Sequence, residues 1–271
     1  MSRLSLPAGI ALAALGLAFV HPAQAQTSIQ FRDGTNGTAL LSTQSAGFIP
    51  TTHYNVLGSN TGTNVALHDI ANAPTSFTAT YSANGTYYSN ANNSGTAGSG
   101  TPNSTLMSAY LDTTSTVGAS VTISGLDPTK SYDVYAYFNT DHVGSQSGQS
   151  DRVSSYQIGS TLFTTNLQPG SAFAGTGFLF AAGTTQNSAK IANYALFSGV
   201  TGSSFTLLSK PLIGGGGDTN LRAPIDGLQI FTNSASAAPE PSQFAGLAFT
   251  VLGLAALTLK ARQRRSDAAQ V

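Results

Sequence analysis

The sequence predicts an all-β protein, a jelly-roll-type antiparallel β-sandwich, and three observations support this prediction. Short segments that alternate apolar and polar residues, the period of a half-buried strand, recur along the chain. Gly, Asn and Pro turns separate these segments. The sequence contains no internal repeat with a period of about 20 to 50 residues, so it does not indicate a solenoid or a propeller. About ten short strands with such turns are typical of a sandwich.

The strand candidates follow one another from residue 76 onward. The segment SFTATYS places Phe77, Ala79 and Tyr81 on one face. Asn84 and Gly85 come next and predict a hairpin turn into a partner strand. The remaining candidates are the segments 119–126, 131–139, 152–159, 160–167, 193–200, 204–210 and 223–231.

The strand candidate SYDVYAYFN carries aromatic residues on both of its faces. One face is expected in the core. The other offers flat rings beside hydrogen-bonding groups, which suits sugars because their ring faces stack on aromatics while their hydroxyls meet Asp and Asn. The alternative is that these rings lie under a covering loop. The expected core set is Tyr132, Val134, Ala136 and Phe138, and the candidate glycan-binding set is Asp133, Tyr135, Tyr137 and Asn139.

The first 25 residues have the layout of a secretory signal peptide. Arg3 provides the positive flank, and an apolar core follows over residues 10–20. A small-x-small site ends the segment, so signal peptidase is expected to cut there and to leave a body that begins at residue 26. The residues of this predicted cleavage site are Ala23, Ala25 and Gln26.

The C-terminal segment has the layout of a membrane helix followed by a basic cluster. Residues 234–238 form a short linker, and the apolar run 244–259 is just long enough to span, since a bilayer core takes about 20 helical residues and Lys260 can snorkel at the edge. Basic residues follow this run. The positive-inside rule therefore places residues 266–271 in the cytoplasm and the body outside.

The tail over 239–265 resembles the PEP-CTERM sorting signal, which consists of Pro-Glu-Pro, one hydrophobic helix and a short Arg-rich end. The only glutamate of the chain, Glu240, lies inside this motif. The resemblance implies recognition by exosortase, a membrane transpeptidase-like enzyme of bacteria that make exopolysaccharide. It also implies a transient inner-membrane anchor, and then delivery to the outer surface or matrix. An ordinary C-terminal anchor is the alternative. The matching residues are Pro239, Glu240, Pro241, Ser242, Arg262, Arg264 and Arg265.

The body over 26–233 carries a second resemblance. Ordered strand-and-turn signatures from about residue 28 to 232 include AGFIPTTHYN, VTISGLDPTKSYDVYAYFNTD and APIDGLQIF. They are similar to a galactose-binding-like jelly roll found in PEP-CTERM proteins, so the resemblance implies a sandwich of that type. Where relatives tend to have Trp-Asn in the first motif, this chain has Tyr54-Asn55, and it contains no Trp.

Composition restricts the function of the exported body. Residues 26–238 contain six basic and nine acidic side chains, a net charge of −3, which argues against nucleic acid as a partner. The absence of cysteine excludes zinc-thiolate sites, iron-sulfur clusters and thiol catalysis. A glycosidase commonly uses two carboxylic acids, which this body would have to supply from aspartates alone. The sequence therefore favours a body that is not an enzyme.

The sequence predicts no organic cofactor, and a structural Ca²⁺ site is one of the alternatives that it allows. Oxygen-rich loops hold such ions, and the carboxylates to test are Asp127, Asp141 and Asp151. Together these observations predict an exported, exosortase-sorted envelope or matrix protein with weak exopolysaccharide binding. The alternatives are a purely structural or adhesive biofilm-matrix protein and, less favoured, an exopolysaccharide hydrolase.

Overall fold

The computed structural model contains mostly β-strands, as the sequence predicts. The predicted signal peptide and the whole C-terminal tail, with its 244–259 segment, lie outside the described residues. Within the described ranges, no helix is long and apolar enough to cross a membrane. The described residues are 26–34, 37–88, 101–113, 118–141, 152–169, 173, 177–185, 190–214 and 222–233.

The described part of the chain contains fourteen strands and one short helix, α1 (Pro102–Leu106). The strands, in chain order, are β1 (Gln26–Phe31), β2 (Asn55–Leu57), β3 (Thr61–His68), β4 (Pro74–Ser82), β5 (Gly85–Tyr88), β6 (Ala109–Asp112), β7 (Ala119–Ser124), β8 (Ser131–Tyr137), β9 (Arg152–Ile158), β10 (Thr161–Leu167), β11 (Lys190–Ala192), β12 (Tyr194–Thr201), β13 (Ser204–Gly214) and β14 (Gly227–Asn233).

Two large sheets form a sandwich. The five-stranded sheet has the order β12-β8-β14-β1-β2, and the seven-stranded sheet has the order β11-β10-β9-β13-β7-β4-β3. Most neighbouring strands are antiparallel, but β1 pairs with β2 in parallel, and β10 pairs with β11 in parallel. The sequence predicted an antiparallel sandwich, so these two pairs differ from the prediction. A parallel pair needs a crossover connection. Part of the connection between β1 and β2, residues 37–54, packs on the outer face of the five-stranded sheet.

The hairpin predicted at Asn84 and Gly85 is wrong. The strand that follows this turn, β5, pairs with β6 in a separate two-stranded sheet instead of folding back on β4. The reason is that both edges of β4 are already occupied, by β3 on one side and β7 on the other. A local turn signal cannot reveal this competition, because the competing strands come from elsewhere in the sequence.

The main core lies between the inner faces of the two large sheets. On β8 and just beyond it, the residues predicted for the core are indeed buried, and the Phe77, Ala79 and Tyr81 face of β4 packs against them from the opposite sheet. Edge-to-face and stacked rings close this core. The inter-sheet pairs are Phe31 with Tyr81 at 5.3 Å, Phe77 with Tyr132 at 6.1 Å, and Phe138 with Tyr156 at 4.0 Å between centroids.

Helix α1 was not predicted, because five residues are too few to show a helical period. Its N-cap is nevertheless present in the sequence. The side chain of Thr101 accepts a hydrogen bond from the backbone N–H of Ser104 at 3.2 Å, and Pro102 occupies the first turn. The helix places Leu106 and Met107 on the outer face of the five-stranded sheet.

Candidate functional site

The outer face of the five-stranded sheet carries a second, smaller apolar cluster. Three covering segments pack on it, which contribute residues from 40–54, 106–107 and 173–178. The sheet itself contributes mainly aromatic side chains. These are Tyr135, Tyr137, Tyr194 and Phe231, with Leu196 partly buried at the edge.

A tight turn after Ala46 is fixed to the sheet by hydrogen bonds. Ala46 and Thr51 exchange two backbone bonds of 3.0 Å, which closes the turn. From the sheet, the amide of Gln229 donates to the carbonyl of Ile49 at 2.8 Å and to the hydroxyl of Thr51 at 2.7 Å. The hydroxyl of Tyr137 donates to the Gln229 carbonyl. The conformation of this turn is thus set by two buried side chains of the sheet.

The position of Phe48 follows from these contacts. Its neighbour Gly47 has φ +98°, a left-handed conformation that favours glycine, and a Cβ there would overlap the side chain of Gln229. The backbone N–H of Phe48 donates to the hydroxyl of Tyr137 at 2.8 Å. A buried tyrosine therefore fixes the backbone from which Phe48 projects, while Phe48 itself is 47% exposed.

Four rings, Phe48, Tyr135, Phe180 and Tyr194, form what we call the aromatic patch. The ring of Phe48 stacks on Tyr194, with centroids 4.8 Å apart and planes at 22°, and on Tyr135 at 5.8 Å and 23°. Phe180 contacts Tyr194 at 5.6 Å. Both phenylalanines are 47% exposed, whereas less than a tenth of the surface of each tyrosine is exposed. Two exposed rings therefore rest on two that are nearly covered.

Two of the four predicted glycan-binding residues belong to this region of the surface. Tyr135 lies in the aromatic patch, and Asp133 is half-buried on the same face of β8. The Asp133 Oδ1 accepts hydrogen bonds from the backbone N–H of Gly199 at 3.2 Å and from the amide of Asn233 at 2.9 Å. Its carboxylate therefore has a fixed orientation.

The other two predicted residues are fully buried. Tyr137 lies beneath the turn that it supports, and the amide of Asn139 donates to the carbonyl of Met107, just after α1. For Tyr137 this burial is the alternative that the sequence left open, namely that the ring lies under a covering loop. In this structure neither presents a surface to a ligand, and Tyr137 instead positions Phe48.

Sequence reasoning missed Phe48, Phe180 and Tyr194 as functional candidates. The sequence pattern predicts only a strand at Tyr194 and a strand-and-turn signature at Phe48. The two phenylalanines occupy irregular segments, GFIP and GFLF, where periodicity says nothing about exposure. For Phe48 the available signal is a phenylalanine one residue after a glycine in a turn, which is too common to identify a site, and Phe180, three residues after Gly177, lacks even this signal.

The two tyrosines of the aromatic patch are neutral hydrogen-bonding groups. Burial raises the pKa of Tyr135 and of Tyr194, and the carboxylate of Asp133 raises that of Tyr135 further. Among the described residues, neither hydroxyl makes a hydrogen bond with the protein. Each is therefore a protonated hydroxyl with both donor and acceptor capacity unused.

The structure does not bring the calcium candidates together. Asp127 precedes β8 and Asp141 follows it, so a strand of seven residues, about 23 Å long, separates them. Asp141 forms an ion pair with Arg152 at 2.9 Å, and Asp127 accepts two bonds from Thr129 that lower its pKa. Asp151 lies outside the described residues. Within the described ranges, no three acidic or histidine side chains are grouped to hold a metal ion.

A buried carboxyl lies at the end of the five-stranded sheet. Asp226 accepts a hydrogen bond at Oδ1 from the backbone N–H of Asn139 at 3.1 Å. Its Oδ2 and the Oδ1 of Asn139 have no partner in the described part of the chain, although both residues are fully buried. Burial raises the pKa of Asp226 well above its usual range. The neutral acid is therefore the favoured form of this group.

Two shallow clefts open elsewhere on the sandwich. One, of about 540 Å³, lies between the β9–β10 turn, the end of β12 and the start of β13, and it is lined by hydroxyl and apolar groups. The other, of about 590 Å³, lies beside the β7–β8 turn and includes Asp69, Asp127 and Lys130. Neither cleft shares a residue with the aromatic patch. Both are therefore separate from the site described above.

Comparison with family models and with curated proteins gives no match. Among solved structures, the chain is similar to a crystal structure of the plant receptor-like kinase ANX1, with 16% identity and a TM-score of 0.31. The similarity covers 48% of this chain and 32% of that one. Similarity at this level does not identify a shared fold or function, so the aromatic patch has to be interpreted from its own geometry.

Proposed function

We propose that the sandwich is the non-catalytic body of an exported protein that binds polysaccharide at the aromatic patch. The observation that carries the proposal is the pair of half-exposed rings, Phe48 and Phe180, which both contact Tyr194. Large exposed aromatics in contact with one another are typical of binding sites, and sugar rings stack on them through their apolar faces. The hydroxyls of Tyr135 and Tyr194 then meet sugar hydroxyls.

The aromatic patch is organised before a ligand arrives. The Phe48 backbone is held by Tyr137, and its ring is stacked on two others, so binding immobilises few new torsions. A small site of this kind still buries little area. Weak binding to a single sugar is therefore expected, and a polymer with many identical units raises the overall affinity through repeated encounters.

The proposed location follows from the chain ends. Signal peptidase would remove residues 1–25, and exosortase would act on the tail at 239–265 and release the body from the inner membrane to the outer surface or matrix. The layout of the two terminal segments supports this route. The jelly-roll closure of the galactose-binding-like type is part of the same proposal, which the resemblance of the ordered strand signatures supports.

Electrophoresis of the full chain in mild detergent, through native gels with and without dissolved polysaccharide, tests the binding proposal. Phe48→Ala and Phe180→Ala are each expected to lose most of the retardation. Leu208→Ala is the matched control, because this leucine is 49% exposed but lies on β13, away from the aromatic patch. Loss of retardation in Leu208→Ala alone would indicate that the polysaccharide binds in the cleft at β12 and β13, which Leu208 lines. No retardation by any glycan would favour the structural or adhesive alternative.

A further inference from the structure

We infer that the ligand of the aromatic patch is an uncharged polysaccharide. This inference rests on the proposed function, because it names the class of glycan that the same surface would bind. It depends on the distribution of charged side chains around the patch, which is independent of the stacking argument.

The strands and covering segments that hold the aromatic patch contain no lysine or arginine among their described residues. The strands β8, β12 and β14 include one ionisable carboxylate, Asp133, and no basic residue. The described covering segments 37–54, 101–107 and 177–185 contain no Asp, Glu, Lys or Arg at all. An acidic sugar placed here would lose water without gaining a cationic partner, which is unfavourable.

The basic residues of the body lie elsewhere and several are already paired. Arg152 lies 2.9 Å from Asp141, Arg222 lies 3.1 Å from Asp112, and Lys130 lies 3.8 Å from Asp127. The other described basic residues are not on the strands or covering segments that hold the aromatic patch: Lys190 is in β11, Lys210 in β13, and Arg32 follows β1. Of these, Lys190 lies one strand from the patch, because β11 pairs with β10, whose Phe163 contacts Phe180 at 5.8 Å.

The one charged residue on the described strands and covering segments of the aromatic patch is the acidic Asp133. Asp133 lies close enough to Tyr135 for its carboxylate to raise the pKa of that tyrosine. Its Oδ1 is held by Gly199 and Asn233, while its Oδ2 makes no hydrogen bond with the described residues. A carboxylate in this position repels uronates and sulfated sugars, but it accepts a hydrogen bond from a sugar hydroxyl. The full chain has a formal net charge of 0, so this local carboxylate, and not the net charge, supplies the repulsion.

The chemistry that remains is that of a neutral sugar. Exposed phenyl rings match the apolar faces of a pyranose, two unused tyrosine hydroxyls match its hydroxyl groups, and Asp133 provides one further acceptor. Nothing in this set requires a charge on the ligand. Salt is therefore expected to have little effect on binding of the neutral polymer.

Matched polymers test this inference. The full chain is run through native gels that contain dextran, hydroxyethyl cellulose or galactomannan, and through gels with carboxymethyl dextran, carboxymethyl cellulose or carboxymethyl galactomannan. At low salt, retardation by each carboxymethylated polymer is expected to be about two- to fivefold weaker, as one repulsion at about 10 Å predicts. High salt should narrow this difference because it screens the repulsion. Asp133→Asn should narrow it too, whereas Asp127→Asn, a carboxylate in the turn before β8 and outside the strands of the patch, should not.

The outcomes separate this inference from the proposed function. Equal or tighter binding of the carboxymethylated polymers, still abolished by Phe48→Ala, would overturn the neutral-glycan inference and leave the binding site in place. Absence of binding to any polymer, or binding that survives both phenylalanine substitutions, would overturn the proposed function. Because asparagine retains the carbonyl that Gly199 and Asn233 contact, the Asp133→Asn variant is expected to fold.

Discussion

The two faces of the five-stranded sheet are built from the same strands but by different chemistry. On the inner face, Val134, Ala136 and Phe138 are fully buried against the seven-stranded sheet. On the outer face, Tyr137 and Gln229 are equally buried, yet they are joined to a covering turn by hydrogen bonds. The inner face thus holds the two layers together, while the outer face holds a surface loop in one conformation.

The difference has an energetic consequence. An inner-face substitution removes apolar burial and leaves a cavity, and both effects destabilise the whole sandwich. An outer-face substitution removes hydrogen bonds that are each worth about 1 kcal/mol net and that end on one turn. Inner-face changes are therefore expected to unfold the protein, and outer-face changes to release the turn that carries Phe48.

The largest effect is expected from Phe138→Ala. This ring is fully buried and stacks on Tyr156 at 4.0 Å with planes at 10°, across the two sheets. Truncation should lower the free energy of unfolding by about 3–5 kcal/mol, measured by urea denaturation. Phe138→Leu fills most of the cavity and should cost less. A loss below about 1 kcal/mol for Phe138→Ala would mean that this inter-sheet contact does not hold the layers together.

A smaller loss of stability is expected from Gln229→Ala. The substitution leaves the Tyr137 hydroxyl, the Ile49 carbonyl and the Thr51 hydroxyl without their present partner, at a cost of about 1–3 kcal/mol. Urea denaturation measures this cost. Retardation by glycan should fall even under conditions where the variant is still folded, because the turn that positions Phe48 is released. If the Gln229→Ala variant bound glycan as well as the unchanged protein under conditions where both are fully folded, the turn would not need Gln229 for its conformation.

The sequence predicted the inner face better than the outer one, for a physical reason. Alternation identified the inner-facing residues of β8, such as Val134 and Ala136, because successive side chains of a strand point to opposite faces of the sheet. The outer face depends on segments that come from distant parts of the chain. The use of Tyr137 to hold Phe48, 89 positions away, has no local signature. The same limit explains the failed hairpin at Gly85, where strands from elsewhere occupied the edges.

The least disruptive test of the comparison concerns Asp226, the polar exception on the inner face. Asp226 lies just before β14, two residues before Leu228 and four before Ile230, so its side chain faces the same side as theirs. Its carboxylate raises the pKa of the buried Tyr156. Burial raises its pKa above that of the unfolded chain, which is about 4. The native state therefore binds the proton more tightly, so this group's stabilising contribution is complete below pH 4 and is lost as the pH rises through the folded-state pKa.

Asp226→Asn is expected to flatten this dependence. The amide resembles the neutral acid, so the variant should lose a slope of up to about 1.4 kcal/mol per pH unit in the range above the unfolded-state pKa and below the raised folded-state pKa, measured by urea denaturation at each pH. The raised pKa of Asp112 leaves a residual slope of the same sign. Asp127→Asn is the control, because this exposed carboxylate has a lowered pKa and cannot produce the slope. An unchanged slope in Asp226→Asn would show that the inner face tolerates an ionised carboxylate, and the separation between an apolar inner face and a polar outer face would then not hold at this end of the sheet.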